Sequence, residues 1–315
     1  MTDSETLITS VAYEFTFVTS VVLTVVGFIG NSISIFIMSR REMRNISMFR
    51  YLIFSMLNDS LVLVTMWFYT LPDIFLISSM TCKSSSYLNI LVYNYSGWIA
   101  ALSLTDRLIT VNYPTKYKFR NKFKFQAVAL LTIFSAMILL STPYFIYFDT
   151  YFASNQTTCI TSNSEIQFYV ELSGALIGVL IPFIIMITVS TMIGRCLIKK
   201  SKIIKASRDL KKEVRLIKMM MTFSVFFLIC NLPYYIQQLI RNGIFLYNTD
   251  DVLISDSIFD FVYNITSQLC YIYNSSGFFV CLITNNVFRN YFYSKFVIFG
   301  KTRVHQSNSI SMFTL

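Results

Sequence analysis

The sequence predicts an all-α integral membrane protein in which seven helices cross the bilayer and the N-terminus lies outside the cell. Hydrophobic residues make up 55% of the 315 residues and charged residues only 13%, whereas about a quarter of the residues in a soluble domain are charged. Seven stretches are long and apolar enough to cross a membrane, and nearly all Lys and Arg residues lie on one side of them. These three observations decide the fold class.

Each predicted span contains about 20 or more mostly apolar residues, which is what a hydrocarbon core of about 30 Å requires of a helix. Helices are favoured over open strands because backbone groups in lipid must be satisfied within the segment. The seven stretches are Val11–Met38, Met48–Leu71, Ser86–Val111, Phe125–Phe148, Phe168–Ile193, Leu216–Ile240 and Ile258–Ile283.

The chain shows no internal repeat and no low-complexity linker, so we predict a single transmembrane domain at residues 11–283. Residues 1–10 form the predicted extracellular N-terminus. They contain no Lys or Arg and therefore differ from the basic start of a signal peptide. Residues 284–315 are predicted to form a short amphipathic eighth helix and a cytoplasmic tail.

The charged residues fix the orientation of the spans. With the N-terminus outside, only Lys83 and Arg241 among the Lys and Arg residues lie away from the cytoplasmic segments and inner span ends, as the positive-inside rule requires. The formal net charge of +10 is therefore attributed to the anionic inner leaflet and not to nucleic acid. Most acidic residues lie outside or near the outer ends: Asp3, Glu5, Glu14, Asp73, Asp149, Glu165, Glu171, Asp250, Asp251, Asp256 and Asp260.

The histidine and cysteine content argues against an enzyme or a metal site. The lone histidine, His305, lies in the polar C-terminal tail. The 6 cysteines are too few for a disulfide scaffold and are spaced unlike zinc ligands. We therefore predict no enzymatic activity, no metal centre and no organic cofactor.

Two groups of residues stand at opposite ends of the third predicted span. Cys82 lies at its outer end and Asp106-Arg107-Leu108 at its inner end, separated by about 37 Å of helix, which is one bilayer crossing with its interface. Cys159 lies in the outer loop between the fourth and fifth spans. In an oxidising compartment the two cysteines can form a disulfide, and two unpaired thiols are the alternative.

With these residues the chain resembles the rhodopsin-like, or class A, G-protein-coupled receptor family from Val11 to Phe292. The family combines the cysteine pair with an Asp-Arg-Tyr triplet and a proline several residues later. Singly each match is weak, but together they fall at matching spacing in seven spans. The further matches are Gly30-Asn31, Leu57-Asn58-Asp59, Pro114, Pro143, Pro182 and Phe227-Leu228-Ile229-Cys230-Asn231-Leu232-Pro233.

The resemblance implies a disulfide between Cys82 and Cys159 and three further sets of functional residues. The sets are a sodium and water pocket (Asn31, Asp59, Ser96, Asn274), G-protein coupling residues (Asp106, Arg107), and hinge or switch residues (Pro182, Phe227, Asn231, Pro233). An ionisable residue near mid-membrane, as Asp59 is, marks a functional site by default. The alternatives are a structural, hydrogen-bonded Asp59 and an Arg107 that only extends to lipid phosphate.

The chain departs from the family pattern at its activation motifs. Leu108 replaces the tyrosine of the triplet, and Asn231 replaces the tryptophan of the sixth span. The seventh span runs Asn274-Ser275-Ser276-Gly277-Phe278-Phe279-Val280-Cys281 and lacks the family's proline and tyrosine. These departures predict a divergent receptor with altered basal activity or weak signalling.

The predicted ligand is a peptide with a basic residue. Amine receptors use an Asp where this chain has Asn89, and no lysine is present in the seventh span to bind retinal. An acidic, aromatic outer mouth suits a cation, although interfacial aromatic belts are the alternative. The mouth comprises Tyr87, Tyr93, Tyr147, Tyr151, Phe152, Glu171, Tyr234, Tyr235, Asp256, Asp260, Tyr271 and Tyr273. The predicted ligand pocket comprises Asn89, Tyr93, Glu171, Tyr234 and Tyr271.

Taken together, the residues predict a plasma-membrane receptor that binds an extracellular ligand and activates a heterotrimeric G protein. Asn274-Ser275-Ser276 and the short third inner loop resemble neuropeptide receptors of the FMRFamide-like branch. A chemosensory or signalling-silent receptor of the same fold is the alternative, and a transporter or channel is disfavoured because Asp59 is the one clear mid-depth charge. Asn155 begins the N-glycosylation sequon that lies outside.

Overall fold

A computed structural model describes residues 3–71, 74, 78–113, 123–153, 156–161, 163–203, 208–247 and 256–297. The first four spans are the helices Asp3–Met38, Ser47–Thr70, Ser79–Asn112 and Phe123–Tyr147. The fifth span consists of Ser164–Ser173, a π-helical stretch Gly174–Leu180, and Ile181–Ile203. The sixth is Arg208–Tyr247, and the seventh is made of Asp256–Ser275 and Gly277–Thr284.

Five of the described helices are long and apolar enough to cross a membrane by length and composition alone. They are the first, second, fourth, fifth and sixth spans. The third and seventh spans are more polar because they pack inside the bundle. The third contacts the second, fourth, fifth and sixth spans, and the seventh contacts the first, second and sixth. Polar side chains on these two helices therefore meet neighbouring helices instead of lipid, and the predicted seven-helix bundle is confirmed.

Methionines fill much of the core at the inner end of the bundle. Met38, Met48, Met56, Met186 and Met219 are all fully buried in one continuous apolar cluster. An unbranched, polarizable methionine side chain fills irregular gaps and adapts when its neighbours move. The inner half of the bundle therefore has a core that can repack.

The fifth span is widened by its π-helical stretch, which ends just before Pro182. Trp98 of the third span donates its indole N–H to the carbonyl of Ile177 (3.0 Å). A backbone carbonyl of this stretch therefore accepts a hydrogen bond from a neighbouring helix. A Cβ added at Gly178 would overlap the side-chain amide of Asn94. Glycine therefore permits the third and fifth spans to come together at this depth.

The seventh span breaks after Ser275, and the eighth helix follows directly from its end. Asn285 begins the eighth helix, Asn286–Phe292, because its Oδ1 accepts the backbone N–H groups of Val287 (3.0 Å) and Phe288 (3.2 Å). A side-chain cap of this kind satisfies donors that have no partner in the first turn. A π-helical turn, Tyr293–Val297, continues the segment.

A two-stranded hairpin covers part of the outer side, which the sequence did not predict. Strand β1 (Asp149–Ala153) pairs antiparallel with strand β2 (Gln156–Ile160). The signal was present, because the segment is rich in threonine and aromatic residues that favour strands. The segment joins two predicted spans, and a connection of this kind is expected to be a loop.

Candidate functional site

The outer hairpin is fastened to the third span by a disulfide and an ion pair. Cys82 and Cys159 are bonded, with their Cα atoms 5.6 Å apart. One residue further along, the Lys83 amine lies 3.7 Å from the Asp149 carboxylate. Hydrogen bonds from Ser79 and from the backbone N–H of the next residue, together with the Lys83 charge, lower the pKa of Asp149 below its ordinary value. The two attachments hold both strands against the same end of the third span.

Deeper in the bundle, four tyrosines from three helices form a cluster that we name the tyrosine cage: Tyr93, Tyr234, Tyr235 and Tyr263. The rings of Tyr234 and Tyr235 lie 5.2 Å apart, Tyr263 lies 5.8 Å from Tyr234, and Tyr93 lies 6.2 Å from Tyr235. Glu171 of the fifth span is only 8% exposed and interacts electrostatically with Tyr234, Tyr235 and Tyr263. An apolar aromatic wall beside one acid is suited to a cation.

Two other predicted pocket residues have different surroundings. Asn89 accepts a hydrogen bond from Thr65 of the second span (2.9 Å), so its side chain joins the third and second spans. Tyr271 is partly buried on the seventh span. Tyr263, in contrast, was not predicted, and no local pattern distinguishes it from the other tyrosines of this chain.

The prediction that Tyr273 belongs to the outer mouth is wrong. Tyr273 is 5% exposed and packs edge-on against Phe227, with ring centroids 5.2 Å apart. Its hydroxyl lies near Ser96 and Asp59, which places it at the depth of the polar cluster. Tyr273 directly precedes Asn274, which was predicted to lie in the polar cluster at mid-membrane. That adjacency indicates the depth of Tyr273.

The sixth span is linked to the third by polar contacts at the position of the missing tryptophan. The Tyr93 hydroxyl donates to Asn231 Oδ1, and Asn231 Nδ2 donates to the carbonyl of Phe227 (2.6 Å). The Tyr235 hydroxyl also donates to Asn94 of the third span (3.1 Å). Hydrogen bonds from Tyr93 and Tyr235 therefore join the third and sixth spans at this depth.

Pro182 and Phe227 approach each other across the third span. A Cβ added at Gly97 would lie 3.0 Å from the ring of Phe227 and 3.5 Å from Pro182. Pro233 lies within the sixth helix, where it cannot donate a backbone hydrogen bond. These residues place the two proline-containing helices in contact with one point of the third span.

A buried polar cluster surrounds Asp59 at mid-membrane. The Asp59 carboxylate accepts hydrogen bonds from Ser96 (3.1 Å) and Ser55 (3.3 Å), and it is 4% exposed. The register predicted Ser96, and Ser55 is a further partner one helical turn from Asp59. Asn31 Nδ2 donates to the backbone carbonyl of Asn274 (3.3 Å), which ties the first span to the seventh.

Two side-chain oxygens of this cluster are left over. Asn31 Oδ1 and Asn274 Oδ1 are buried and have no hydrogen-bond partner among the described residues. These two amide oxygens, the carboxylate of Asp59 and the hydroxyl of Ser96 are oxygen donors of the kind that bind small hard cations. Within the same described part of the chain, no cluster of three or more His, Cys, Asp or Glu side chains could hold a metal ion.

At the inner end of the third span, Ser47 joins the two predicted coupling residues. Ser47 Oγ donates to the Asp106 carboxylate (2.6 Å) and accepts from Arg107 Nη2 (3.1 Å). All three are at least 95% buried. The hydroxyl of Ser47 belongs to the first turn of the second span, so the triplet is tied to a neighbouring helix. Sequence reasoning missed Ser47 because packing, not spacing, brings it there.

Several sequence predictions fall outside the described residues. Asn155, the glycosylation site, is one of them, and Pro114 and the lysines that follow it in the second inner loop are others. The same is true of residues 298–315 of the cytoplasmic tail. These remain predictions from the sequence.

Comparison with known proteins gives the chain its family. Residues 30–285 match the family described as 7 transmembrane receptor (rhodopsin family). The chain is 27% identical to the human cysteinyl leukotriene receptor 1 over 235 residues, which are 70% of this chain and 66% of that receptor. It is 26% identical to the type-1 angiotensin II receptor of Gallus gallus over 193 residues, 59% of this chain and 53% of that receptor.

The match spans slightly less than two thirds of the human receptor's length and about half of the Gallus gallus receptor's length. The family match covers most of this chain and contains the polar cluster around Asp59, the tyrosine cage and the Asp106-Arg107 pair. It confirms the predicted family, the predicted location in the plasma membrane and the absence of enzymatic activity. The chain belongs to the rhodopsin family of seven-transmembrane receptors.

Proposed function

We propose that this protein binds an extracellular peptide in the tyrosine cage and, in response, activates a heterotrimeric G protein. The observation that carries the proposal is the hydrogen bond from Tyr93 to Asn231. Tyr93 is part of the cage, and Asn231 stands two residues before Pro233 in the sixth span. A ligand that moves Tyr93 therefore acts directly on the helix with the hinge.

A peptide ligand is supported by the chemistry of the cage. Glu171 is buried beside tyrosine rings, and a basic side chain or terminal amine is the group that gains most from such surroundings. One set of relatives is named for angiotensin II, a peptide. We extend the proposal to a neuropeptide on the sequence resemblance given above.

A lipid ligand is the second candidate, because the human relative named for cysteinyl leukotriene matches a larger share of this chain than the angiotensin relatives do. A receptor that binds without signalling is a third candidate, which follows from the altered sixth and seventh spans. A panel that contains both peptides and leukotrienes separates the first two.

The inner cluster of Ser47, Asp106 and Arg107 supports coupling to a G protein. In the arrangement described here, Arg107 is buried and bonded to the second span. A two-state rearrangement that moves the sixth helix outward would expose Arg107 at the cytoplasmic face, where a partner protein can contact it. The hydrogen bonds of Ser47 stabilise the state in which Arg107 is withdrawn.

We also propose that Asp59, Ser96, Asn31 and Asn274 hold a sodium ion. The oxygen set fits such a cation, and the two unpartnered amide oxygens are the observation behind it. A bound sodium ion would neutralise the buried charge of Asp59. It would thereby favour the packed arrangement of the first, second, third and seventh spans.

The test is a panel of neuropeptides on cells that express the full chain, with calcium and cyclic-AMP readouts. We expect at least one amidated peptide to give a saturable response, and Arg107→Ala to abolish it at unchanged surface expression. Lys124→Ala serves as the control, because it removes a basic residue at the start of the fourth span. Absence of any peptide response at good surface expression would refute the peptide proposal. A full response from Arg107→Ala would refute the coupling role.

A further inference from the structure

Glu171 is a buried acid, and it forms no ion pair with any residue that the structure describes. Its side chain is 8% exposed, and it makes no hydrogen bond or ion pair with any residue in the described part of the chain. Burial of a carboxylate is costly unless the charge is paired or hydrogen-bonded. Such a group lowers the free energy of unfolding of the ligand-free protein. A ligand that supplies the opposite charge would offset this loss.

The surroundings of Glu171 select the chemical class of that ligand. One turn further along, Gly174 packs closely against the Tyr235 ring, whose nearest atom lies 3.5 Å from the position of a Cβ. Tyr234 stands edge-on to Tyr235 and close to Tyr263. The faces of aromatic rings attract cations, and the attraction grows when water is excluded.

The hydroxyls of Tyr93, Tyr234 and Tyr235 form hydrogen bonds with residues other than Glu171. Tyr235 donates to Asn94 (3.1 Å), and Tyr93 donates to Asn231. The Tyr234 hydroxyl accepts a hydrogen bond from Gln238 (3.3 Å). The rings of the cage therefore lie beside the carboxylate, while the hydrogen bonds of Tyr93 and Tyr235 join the third and sixth spans.

We propose that Glu171 is the anchor for a cationic group of the ligand, a guanidinium or an ammonium, which enters the tyrosine cage and pairs with the buried carboxylate. The inference rests on the proposed function, since it names the part of the ligand that the pocket recognises. It also excludes ligands whose group at this position is anionic, because two like charges would meet in a site with little water.

Glu171→Gln tests the unpaired charge without any knowledge of the ligand. The purified full chain in lipid nanodiscs is heated with a thiol-reactive dye, which reports unfolding through the buried free cysteines Cys230, Cys270 and Cys281. We expect Glu171→Gln to raise the ligand-free midpoint by about 2 °C or more, because a neutral amide removes the cost of the buried charge. The matched control is Glu165→Gln in the first turn of the same helix, where the acid is exposed and no such rise is expected. A lower midpoint for Glu171→Gln would show a structural role and overturn the proposal.

Binding is tested on the wild-type chain with L-argininamide at about 10 mM and with L-citrullinamide, its side-chain analogue with a neutral urea. A ligand that binds the folded state raises the midpoint in proportion to its occupancy. We expect argininamide to raise it by about 2 °C more than citrullinamide does. The difference should vanish in Glu171→Gln and persist in Glu165→Gln. Equal shifts from the two probes in the wild-type chain would refute the cation anchor, and this arm does not depend on the stability of any variant.

Paired peptides, in which one arginine is replaced by citrulline, distinguish a failure of the cation anchor from a failure of the proposed function. Peptides that signal equally with either residue would refute the anchor and leave the peptide receptor standing. An argininamide shift without a signal from any peptide would keep the anchor and refute the signalling proposal.

Discussion

Replacement of Ser47 by alanine is expected to raise the basal activity of the receptor. Its hydroxyl donates to Asp106 (2.6 Å) and accepts from Arg107 (3.1 Å), and it is 3% exposed. Alanine removes both bonds and adds no bulk. Because they exist only while Arg107 is held against the second span, their loss favours the state in which the arginine is released.

The size of the effect follows from the number and kind of these bonds. A hydrogen bond to a charged group contributes about 1.5–3 kcal/mol. Asp106 and Arg107 have further interactions that remain after the substitution and partly compensate for the loss. We therefore take the net loss as equivalent to one such hydrogen bond, although two are removed. A change of about 1.4 kcal/mol is tenfold in an equilibrium. Ser47→Ala should therefore shift the balance of the two states by about 10- to 100-fold.

The assay is ligand-independent nucleotide exchange on a purified G protein, with wild-type and variant receptor at equal amounts in nanodiscs. Ser39→Ala is the matched control, since Ser39 is an exposed serine in the same inner region. We expect a several-fold rise in basal exchange for Ser47→Ala and none for Ser39→Ala. Unchanged basal exchange at normal folding would show that the Ser47 bonds do not restrain Arg107.

Three further predictions follow from other parts of the structure. Asp59→Asn should abolish the stabilisation of the purified receptor by sodium relative to choline, and retained sodium dependence would contradict the cation site. Gly178→Val should lower the unfolding midpoint by an amount equivalent to about 1–3 kcal/mol, because its side chain would overlap Asn94, whereas Gly194→Val, where a Cβ meets nothing within 4 Å, should be tolerated better. The lowered pKa of Asp149 means that its contribution is present above the ordinary value of 3.8 and is lost as pH falls through the lower folded value. Acidification below about pH 4 should therefore speed hydrogen exchange in the β1–β2 hairpin in the wild-type chain more than in Asp149→Asn, and equal acceleration would refute the role of the carboxylate.

The fold was predictable because it depends on quantities that a sequence displays directly. Apolar length marks the spans, and the distribution of Lys and Arg orients them. The π-helical stretch Gly174–Leu180 and the break at Ser276 were not predictable. Both depend on which neighbour satisfies a backbone group, as Trp98 does for Ile177, and that is decided by the packing of helices distant in sequence.

The site was predictable only where helical register relates its members. Counting along the third span placed Ser96 at the depth of Asp59, and the structure joins them. Ser55 precedes Asp59 by one turn and could have been found by the same rule. Ser47 could not, because no register count from the sequence places the first turn of the second span beside Arg107, and only the packing of the two helices does so. Tyr273 was misplaced because tyrosine is abundant here, so residue type alone does not give depth.

The π-helical stretch of the fifth span sets the direction in which the outer part of this span faces. Each extra residue accommodated in a helix turns everything beyond it by about 100° relative to a regular α-helix. Glu171 lies on the outer side of Gly174–Leu180, so a regular α-helix continued outward from Pro182 would point this side chain in a different direction. The position of Glu171 beside the tyrosine cage therefore depends on the irregular geometry of the residues that follow it in the same span.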